Sequence, residues 1–216
     1  PTLKTGASTW KRGKPSMSRD GLLMIFVKNP VLGRVKTRLA AETGDERALQ
    51  IYQALLRHTR AVSAAIDHPK LIYYSDFLPE HDLWAGTHYH QGLQPAGDLG
   101  QRMATAFRDN LQHYQRVVII GADDPDLQAS HLATAFEQLQ HHDLVIGPAT
   151  DGGYYLLGMT AFHPTLFQGI AWSTDQVRAQ TLKQASEAGL SHYLLPEHND
   201  IDTYQDWLAS SWQTQV

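Results

Sequence analysis

Three carboxylates follow a short apolar run near the middle of the sequence. Residues 117–120 are all β-branched, which is typical of a buried strand. Asp123, Asp124 and Asp126 come next, around Pro125. Ligands of open α/β sheets bind outside the carboxyl ends of the strands, so these side chains are expected beside a substrate. One or two such oxygens suit a Mg²⁺ or Mn²⁺ that holds a phosphate. The alternative, helix capping, needs only one aspartate.

A basic loop follows an earlier apolar run, residues 22–27. It carries four cations, Lys28, Arg34, Lys36 and Arg38. Gly33 permits a turn in this loop, and Lys36, Thr37 and Arg38 stand where a helix would begin and could grip phosphate oxygens. The loop lacks the glycine spacing of a Walker A or G-x-G-x-x-G motif. A solvated basic surface loop is the alternative interpretation.

Two further polar segments could take part in the same chemistry. Asp151 precedes Gly152 and Gly153 and could act as a general base on an acceptor hydroxyl; a Gly-Gly turn formed by the aspartate is the alternative. Asp98 and Arg102 belong to a second polar loop that enters a helix, where Arg102 could contact a phosphate or a base, or form a surface ion pair. For Trp172, stacking on a sugar or base competes with ordinary core packing.

Other catalytic chemistries lack their signatures. The sequence has 12 histidines, but the close pairs His88 and His90, and His141 and His142, do not have H-E-x-x-H spacing. No G-x-S-x-G elbow is present, which argues against a serine hydrolase. Zinc and serine catalysis are therefore not expected.

Composition limits the partners and the compartment. The 216 residues have a formal net charge of −4 and no cysteine, so neither a nucleic-acid partner nor disulfide or thiolate chemistry is indicated. No apolar run approaches the roughly 18 residues of a membrane span. Residues 1–20 lack the apolar core of a secretory signal, so a cytoplasmic protein is expected.

Strand and helix patterns alternate after residue 20. Strands are predicted at residues 22–27, 71–74, 117–120, 144–146, 154–159 and 193–195. Helical spacing covers residues 48–66, 99–111, 132–139 and 177–185, and a last helix begins at Thr203. Ser173 and Gln176 fit a capping box ahead of the fourth helix. The alternation predicts a mostly parallel sheet with helices on both faces, a three-layer α/β/α arrangement.

The chain is predicted to have two parts. Residues 1–20 form a basic N-terminal extension whose only aromatic residue is Trp10. Trp10 could dock on its own domain or on a neighbouring subunit, so a homo-oligomer is possible. Met17 could instead be the natural start. Residues 21–216 contain no repeat or linker and are expected to form one domain.

Five segments resemble, in order, a bacterial family described as glycosyltransferase-like (DUF2064). They are F-x-K-x-P-x-x-G-x-x-K-T-R-L at residues 26–39, G-D-L-G-Q-R-M at 97–103, G-A-D-D-P-D-L at 121–127, G-P-A-T-D-G-G-Y-Y-L-L-G at 147–158 and D-I-D-T at 200–203. The same loops are similar to those of 2-phospholactate and molybdenum-cofactor guanylyltransferases. The resemblance implies a Rossmann-like GT-A fold with a mixed sheet. Asp124 departs from it, because many relatives have a small residue or Cys there.

The resemblance also implies roles. Asp123 matches the metal-binding aspartate, and Asp200 or Asp202, with Asp202 preferred, would supply a second ligand; helix capping is the alternative for Asp202. Asp151 and Lys36 are expected in catalysis. The nucleotide donor would contact a larger set of residues, namely Lys28, Gly33, Lys36, Thr37, Arg38, Asp98 and Arg102.

These observations leave three functional hypotheses. The first is a metal-dependent glycosyltransferase that uses a nucleoside-diphosphate sugar and an unidentified small acceptor. The second is a nucleotidyltransferase that moves a nucleoside monophosphate from a triphosphate to a phosphorylated acceptor and releases pyrophosphate. The third is a nucleotide-binding module without catalysis. The family description favours the first, and the number of cations mildly favours the second.

Overall fold

Seven strands in the described part of the chain form one sheet. The computed structural model describes residues 20–81, 83–84, 86 and 89–214. The strands are β1 (Gly21–Val27), β2 (Lys70–Tyr74), β3 (Tyr89–Leu93), β4 (Arg116–Ile120), β5 (Leu144–Pro148), β6 (Tyr154–Met159) and β7 (His192–Leu194). Their order is β3-β2-β1-β4-β6-β5-β7. Only β6 is antiparallel to its neighbours, β4 and β5. The prediction of a mostly parallel mixed sheet is confirmed.

Helices cover both faces of this sheet, as predicted. They are α1 (Thr37–Thr43), α2 (Asp45–Ala64), α3 (Leu99–Asn110), α4 (Ala129–Gln138), α5 (Val177–Glu187) and α6 (Tyr204–Ala209). Apolar side chains of α2 and α4 share one buried cluster with the sheet, and those of α3 and α5 share another. A third cluster joins α1, α2 and the C-terminal segment through Leu39, Leu55 and Trp207. None of the described helices is both long and apolar enough to cross a membrane.

The central strands could be predicted from the sequence because they are buried on both faces. In β1 and β4 the apolar residues run without interruption because neither face meets water. β3 was not predicted, since its sequence Tyr-His-Gln-Gly-Leu lacks an apolar run and it lies at the exposed edge of the sheet. β7 begins and ends one residue earlier than predicted.

The predicted capping box at Ser173 and Gln176 is wrong. Ser173 has a positive φ of 62°, and α5 begins only at Val177, after a Gln176 that makes no side-chain cap. The hydroxyl of Thr174 instead accepts a hydrogen bond from the Gln176 amide at 3.2 Å. Capping boxes occur at three other helices, at Asp98 before α3, at Gln128 before α4 and at Thr203 before α6.

One edge of the sheet collects the loops that carry the predicted site residues. The carboxyl ends of β1, β4, β5 and β7 and the amino end of β6 meet there, which we call the carboxyl edge. The chain order reverses between β1 and β4, the position where open α/β sheets form a ligand crevice. Trp10 and the rest of residues 1–19 lie outside the described residues.

Candidate active site

Lys36 occupies the centre of the carboxyl edge. Its Nζ lies 3.1 Å from Asp123 Oδ2 and 3.7 Å from Asp202 Oδ1. The Lys36 side chain is only 6% exposed, whereas those of Asp123 and Asp202 are 42% and 38% exposed. Burial alone would lower the pKa of Lys36, but the two carboxylates outweigh it and hold the pKa above its usual value. The ammonium group is therefore charged at neutral pH.

The loop after β1 holds Lys36 in an unusual backbone conformation. Lys36 has a φ of 47° and a ψ of 46°, which is left-handed, and it directly precedes α1. Such a conformation costs free energy in a non-glycine residue and persists where the surroundings enforce it. Upstream, the Tyr52 hydroxyl accepts a hydrogen bond from the Lys28 amide at 2.9 Å and donates one to the Lys28 carbonyl at 3.1 Å. Helix α2 thereby fixes the start of the basic loop.

Asp123 is the aspartate of its turn that faces Lys36. Its carbonyl oxygen accepts a hydrogen bond from the Ile201 amide at 3.2 Å, which joins the turn after β4 to the segment after β7. Asp124 points into the interior, where its side chain is buried, and Asp126 lies on the surface. Of the three aspartates left open by the sequence, the structure brings only Asp123 into contact with Lys36.

For the segment of Asp202 and Thr203, the sequence left two roles open, a metal ligand and a helix cap. Asp202 pairs with Lys36 and also accepts a hydrogen bond from Arg38 at 3.0 Å. Thr203 caps α6, because its hydroxyl accepts from the Asp206 amide at 3.2 Å while the Asp206 carboxylate accepts from the Thr203 amide at 2.7 Å. The capping role therefore belongs to Thr203, and the Asp202 carboxylate faces the cations.

Asp200 and Asp151 add two carboxylates to the group formed by Asp123 and Asp202. Burial, and next the negative charge of Asp123, raises the pKa of Asp200 to about 7. Asp151 and Asp202 add to this rise, and Lys36 opposes it. The carboxylates of Asp123, Asp151 and Asp202 therefore lie within electrostatic reach of Asp200, and we call these four residues the acidic centre.

A glycine turn presents Asp151 at this edge. The Asp151 carboxylate accepts a hydrogen bond from the Gly153 amide at 2.8 Å, so the turn-forming role considered from the sequence is present. Gly152 has a φ of 87°, and a Cβ built on it would lie 2.1 Å from the carbonyl oxygen of Asp175. Only glycine therefore fits at this position. The Asp151 side chain remains exposed.

Asp124 forms a buried pair with a histidine that the sequence analysis did not single out. The Asp124 carboxylate lies 2.7 Å from Nδ1 of His198, and both side chains are at least nine-tenths buried. Burial raises the pKa of Asp124, although the hydrogen bond from His198 works against this rise. The residues are 74 positions apart, and no local motif announces their contact.

Other predicted donor-binding residues lie along the basic loop and outside the acidic centre. Lys28, Gly33 and Thr37 are exposed, and Gly33 has the positive φ, 72°, that its predicted turn requires. Asp98 caps α3 instead of pairing with Arg102. Arg102 donates to the Gly97 carbonyl at 2.7 Å and to Gln94 Oε1 at 3.3 Å. No described contact joins Asp98 or Arg102 to the acidic centre.

Two polar residues that were not predicted tie the strand ends together. Asn29 is buried and donates to the Phe77 carbonyl at 2.9 Å, while its Oδ1 accepts from the Asp76 amide at 3.0 Å. The Gln94 side-chain amide donates to the carbonyls of Val27 and Tyr73 at 3.1 and 3.2 Å. The sequence around them carries no signal for these long-range bonds.

Trp172 takes the packing role considered from the sequence. Its indole lies directly against Gly100 of α3, where a Cβ would come within 2.1 Å of the ring. It also stacks on Phe167, with ring centroids 6.3 Å apart. These contacts pack the indole, which precedes α5 in the chain, against α3 and Phe167.

The donor set at the acidic centre fits a divalent cation that also binds phosphate. Oδ2 of Asp123 and Oδ1 of Asp202 approach the same Lys36 ammonium group, and both carboxylates are accessible to water. Within the described residues, no group of three or more His, Asp or Glu side chains is arranged as a metal site. Two carboxylates are what Mg²⁺ typically takes from a protein when substrate phosphates and waters complete its shell.

Comparison with known proteins gives the family. Residues 55–174 match the family described as an uncharacterized protein conserved in bacteria (DUF2064). A crystal structure from Desulfovibrio desulfuricans G20, of a protein assigned as a nucleotide-diphospho-sugar transferase, is 35% identical, with 92% of this chain and 88% of that chain covered and a TM-score of 0.82. The chain belongs to the DUF2064 family. Among curated proteins, none matches it.

The part of the chain that matches DUF2064 includes Asp98, Arg102, Asp123 and Asp151, while Lys36 and Asp202 lie outside it. More distant structures share the fold of this DUF2064 protein. One is the inositol-1-phosphate CTP transferase from T. maritima, at 12% identity, with 88% and 92% of the two chains covered and a TM-score of 0.55. Another is glucosyl-3-phosphoglycerate synthase from Mycobacterium tuberculosis with Mn²⁺ and UDP, at 10% identity, with 93% and 81% covered and a TM-score of 0.52. These likenesses confirm the predicted Rossmann-like GT-A architecture.

Proposed function

We propose that this protein is a transferase that uses a nucleotide-activated donor, and that it transfers a glycosyl group from a nucleoside-diphosphate sugar. The observation that carries the proposal is the contact of Lys36 with Asp123 and Asp202 beyond the carboxyl ends of β1 and β4. A cation and two accessible carboxylates there suit a metal–diphosphate ligand. The assignment of the 35% identical relative as a nucleotide-diphospho-sugar transferase supports the glycosyl donor.

The basic loop would hold the diphosphate. Lys36 supplies a buried, charged ammonium group, and Arg38 supplies a largely exposed guanidinium group whose planar fork suits phosphate oxygens. Lys28 and Gly33 lie in the same loop, where Gly33 permits the turn toward the ligand. Asp123 and Asp202 would hold Mg²⁺ or Mn²⁺, whose charge would offset the negative charge on the leaving diphosphate.

Asp151 is suited to the proton transfer of this reaction. In glycosyl transfer, an acceptor oxygen bonds to the anomeric carbon, and the bond from that carbon to the diphosphate breaks with its electron pair on the nucleoside diphosphate. The acceptor hydroxyl loses its proton, which the exposed Asp151 carboxylate can take. The Gly153 amide orients this carboxylate.

A second candidate is nucleotidyl transfer. The exposed side chains of Lys28, Arg34 and Arg38 give the loop more positive charge than a diphosphate requires, which favours a triphosphate. An oxygen of a phosphorylated acceptor would then attack the α-phosphorus, and pyrophosphate would leave with the electron pair of the broken bond.

A nucleotide panel with Mn²⁺ tests both candidates. We expect nucleoside diphosphates and their sugar conjugates to raise Tm in a thermal-shift assay, and one sugar conjugate to release its nucleoside diphosphate when an acceptor is supplied. Asp151→Asn should lower that turnover by about 10²- to 10⁴-fold while nucleotide binding persists. Preference for one triphosphate, with pyrophosphate release, would establish the second candidate. No shift with any nucleotide would contradict both.

A further inference from the structure

His198 joins the three segments that carry the acidic centre, because it lies in one of them, the segment after β7, and contacts the other two. These segments are the turn after β4 with Asp123, the loop between β5 and β6 with Asp151, and the segment after β7 with Asp200 and Asp202. None of the chemistry proposed above uses His198. Its side chain is nevertheless only 8% exposed, at the junction of the segments. Histidine is seldom placed this deeply without partners that satisfy its ring nitrogens.

The side chain of His198 fixes the turn after β4. An N–H at Nδ1 donates to Asp124 Oδ2 across 2.7 Å, and Asp124 Oδ1 accepts from the Asp126 amide at 2.9 Å. The Asp124 carboxylate therefore uses one oxygen to close its own turn and the other to bind His198. Asp123 directly precedes Asp124 in the chain, so its backbone direction depends on this pair.

The backbone of His198 fixes the loop between β5 and β6. Its amide donates to the Pro148 carbonyl at 3.0 Å, and its carbonyl accepts from the Thr150 amide at 2.9 Å. The imidazole stacks on Tyr155 with a centroid distance of 4.3 Å and an interplanar angle of 5°. The Tyr155 hydroxyl in turn donates to the Pro196 carbonyl at 3.1 Å. These contacts extend the sheet past β7 and hold the turn that carries Asp151.

We propose that His198 is a positioning residue that, with Asp124, sets the relative placement of Asp123, Asp151 and Asp202. The functional part of this inference rests on the proposed use of Asp123 and Asp202 to hold a divalent cation. Both carboxylates are more than one-third exposed, so surrounding packing constrains them weakly and the backbone beneath them decides their separation. Groups behind metal ligands commonly change metal affinity 10- to 100-fold when they are removed.

Amide hydrogen exchange tests the positioning directly, without a metal. The Ile201 amide donates to the Asp123 carbonyl at 3.2 Å, so its protection reports whether the two acidic segments stay aligned. We expect exchange at Ile201 to become about tenfold faster in His198→Ala. His198→Asn should retain protection, because the asparagine amide can donate to Asp124 in place of Nδ1.

A matched control is His142, which lies just before the amino end of β5, on the side of the sheet opposite the carboxyl edge. His142 also has Nδ1 within hydrogen-bond distance of a partner, at 3.2 Å from the Gln138 carbonyl, and also contacts a tyrosine ring, that of Tyr193. His142→Ala should lower overall stability without changing exchange at Ile201. Unchanged protection of Ile201 in His198→Ala, or equal loss in both alanine variants, would overturn the positioning role.

Titration with Mn²⁺ alone gives the functional readout, with free Mn²⁺ followed by electron paramagnetic resonance. We expect His198→Ala to bind Mn²⁺ about 10- to 100-fold more weakly than wild type, and His198→Asn and His142→Ala to bind it normally. Wild-type Mn²⁺ affinity in His198→Ala would overturn the proposal. If the wild-type protein itself binds no Mn²⁺, the proposed metal-binding function fails, while faster exchange at Ile201 in His198→Ala would still support the positioning role.

Discussion

Lys36 and Arg38 both pair with Asp202, but their surroundings differ. The side chain of Lys36 is 6% exposed and that of Arg38 is 76% exposed. Lys36→Met should lower the free energy of unfolding by about 1–3 kcal/mol, because two carboxylates lose the cation they face. Arg38→Met should change it by less than about 0.5 kcal/mol. Urea unfolding of both variants measures this difference.

The same two variants test the phosphate role. Each should bind a nucleoside diphosphate with Mn²⁺ about tenfold or more weakly, since a charge-assisted hydrogen bond contributes roughly 1.5–3 kcal/mol. Calorimetric titration gives the affinities. Wild-type affinity in both variants would remove the basic loop from donor binding and leave Lys36 with a structural role only.

Asp123 and Asp126 offer a matched pair of substitutions within one turn. Asp123 faces Lys36, while Asp126 lies on the surface. Asp123→Asn should abolish Mn²⁺-dependent nucleotide binding and leave the fold intact, because the amide keeps the shape but not the charge. Asp126→Asn should bind as wild type. If thermal shifts with Mn²⁺ and nucleotide persist in the Asp123 variant, the metal is held elsewhere.

Local sequence predicted which side chains would reach the carboxyl edge, but not how they pair there. Basic and acidic residues directly after buried strands were expected at one edge, and Lys36 and Asp123 do meet there. The pair of Asp124 and His198 could not be foreseen, because each residue alone is an ordinary polar side chain. Their contact depends on β7 running beside β5, which is a property of the assembled sheet.

At the scale of the elements, the N-terminal cap of α6 also binds the backbone amide of Asp202, a predicted metal ligand. Asp206 accepts from the amides of Asp202 and Thr203 at 3.2 and 2.7 Å. Burial alone would raise the pKa of Asp206, but the hydrogen bonds from Thr203 and its neighbours outweigh it and hold the pKa below its usual value. The ionised carboxylate therefore stabilises the folded state at neutral pH.

This depressed pKa predicts a pH dependence of stability. The contribution of Asp206 is complete above the ordinary carboxyl pKa, about 3.9, and is lost as the pH falls through the lower folded value. Asp206→Asn should lower the free energy of unfolding by about 0.5–2 kcal/mol at pH 7, and the difference should shrink below about pH 4. Asp109→Asn, on the surface of α3, is the control. A gap that stays constant at low pH would contradict the assignment.

The turn between β5 and β6 should be unusually sensitive at Gly152. Gly152 and Gly189 both have positive φ, 87° and 68°, but only Gly152 faces a backbone oxygen, that of Asp175. Gly189→Ala should cost about 1–2 kcal/mol from backbone strain alone. Gly152→Ala should cost more and should also lower turnover, because Asp151 must move. Equal losses of stability in the two variants would show that the Asp175 contact is unimportant.

The strands that are buried on both faces of the sheet could be predicted from the sequence, and the strand at the exposed edge of the sheet could not. β1 and β4 have continuous apolar sequences because helices cover both their faces. β3 contains His90, Gln91 and Gly92, so the sequence gives no sign of a strand. Its backbone pairing with β2 decides its conformation instead. Similarly, Ser173 and Gln176 have suitable residue types for a cap, but the positive φ of Ser173 prevents it.

For the whole molecule, the three buried clusters predict that residues 20–216 fold as a unit. Within the part of the chain that the structure describes, the members of these clusters lie between Leu22 and Trp212. A chain shortened to residues 20–216 should therefore unfold in urea with the same midpoint and slope as the full chain. Light scattering on both would report whether the basic extension supports a homo-oligomer. A lower midpoint for the shortened chain would assign a stabilising role to residues 1–19.

The pairing of β1 with β4 also decides when this protein can fold during its synthesis. Gly21 pairs with Arg116 and Ile25 with Ile120, so one neighbour of β1, β2, comes from the first half of the chain and the other, β4, from the second half. A ribosome releases the chain from its N-terminus, and the apolar β1 therefore emerges well before β4 exists. Such long sequence separations slow folding. Nascent-chain chaperones that bind apolar segments thus have a long interval in which to engage β1, and translation speed through residues 28–116 sets its length.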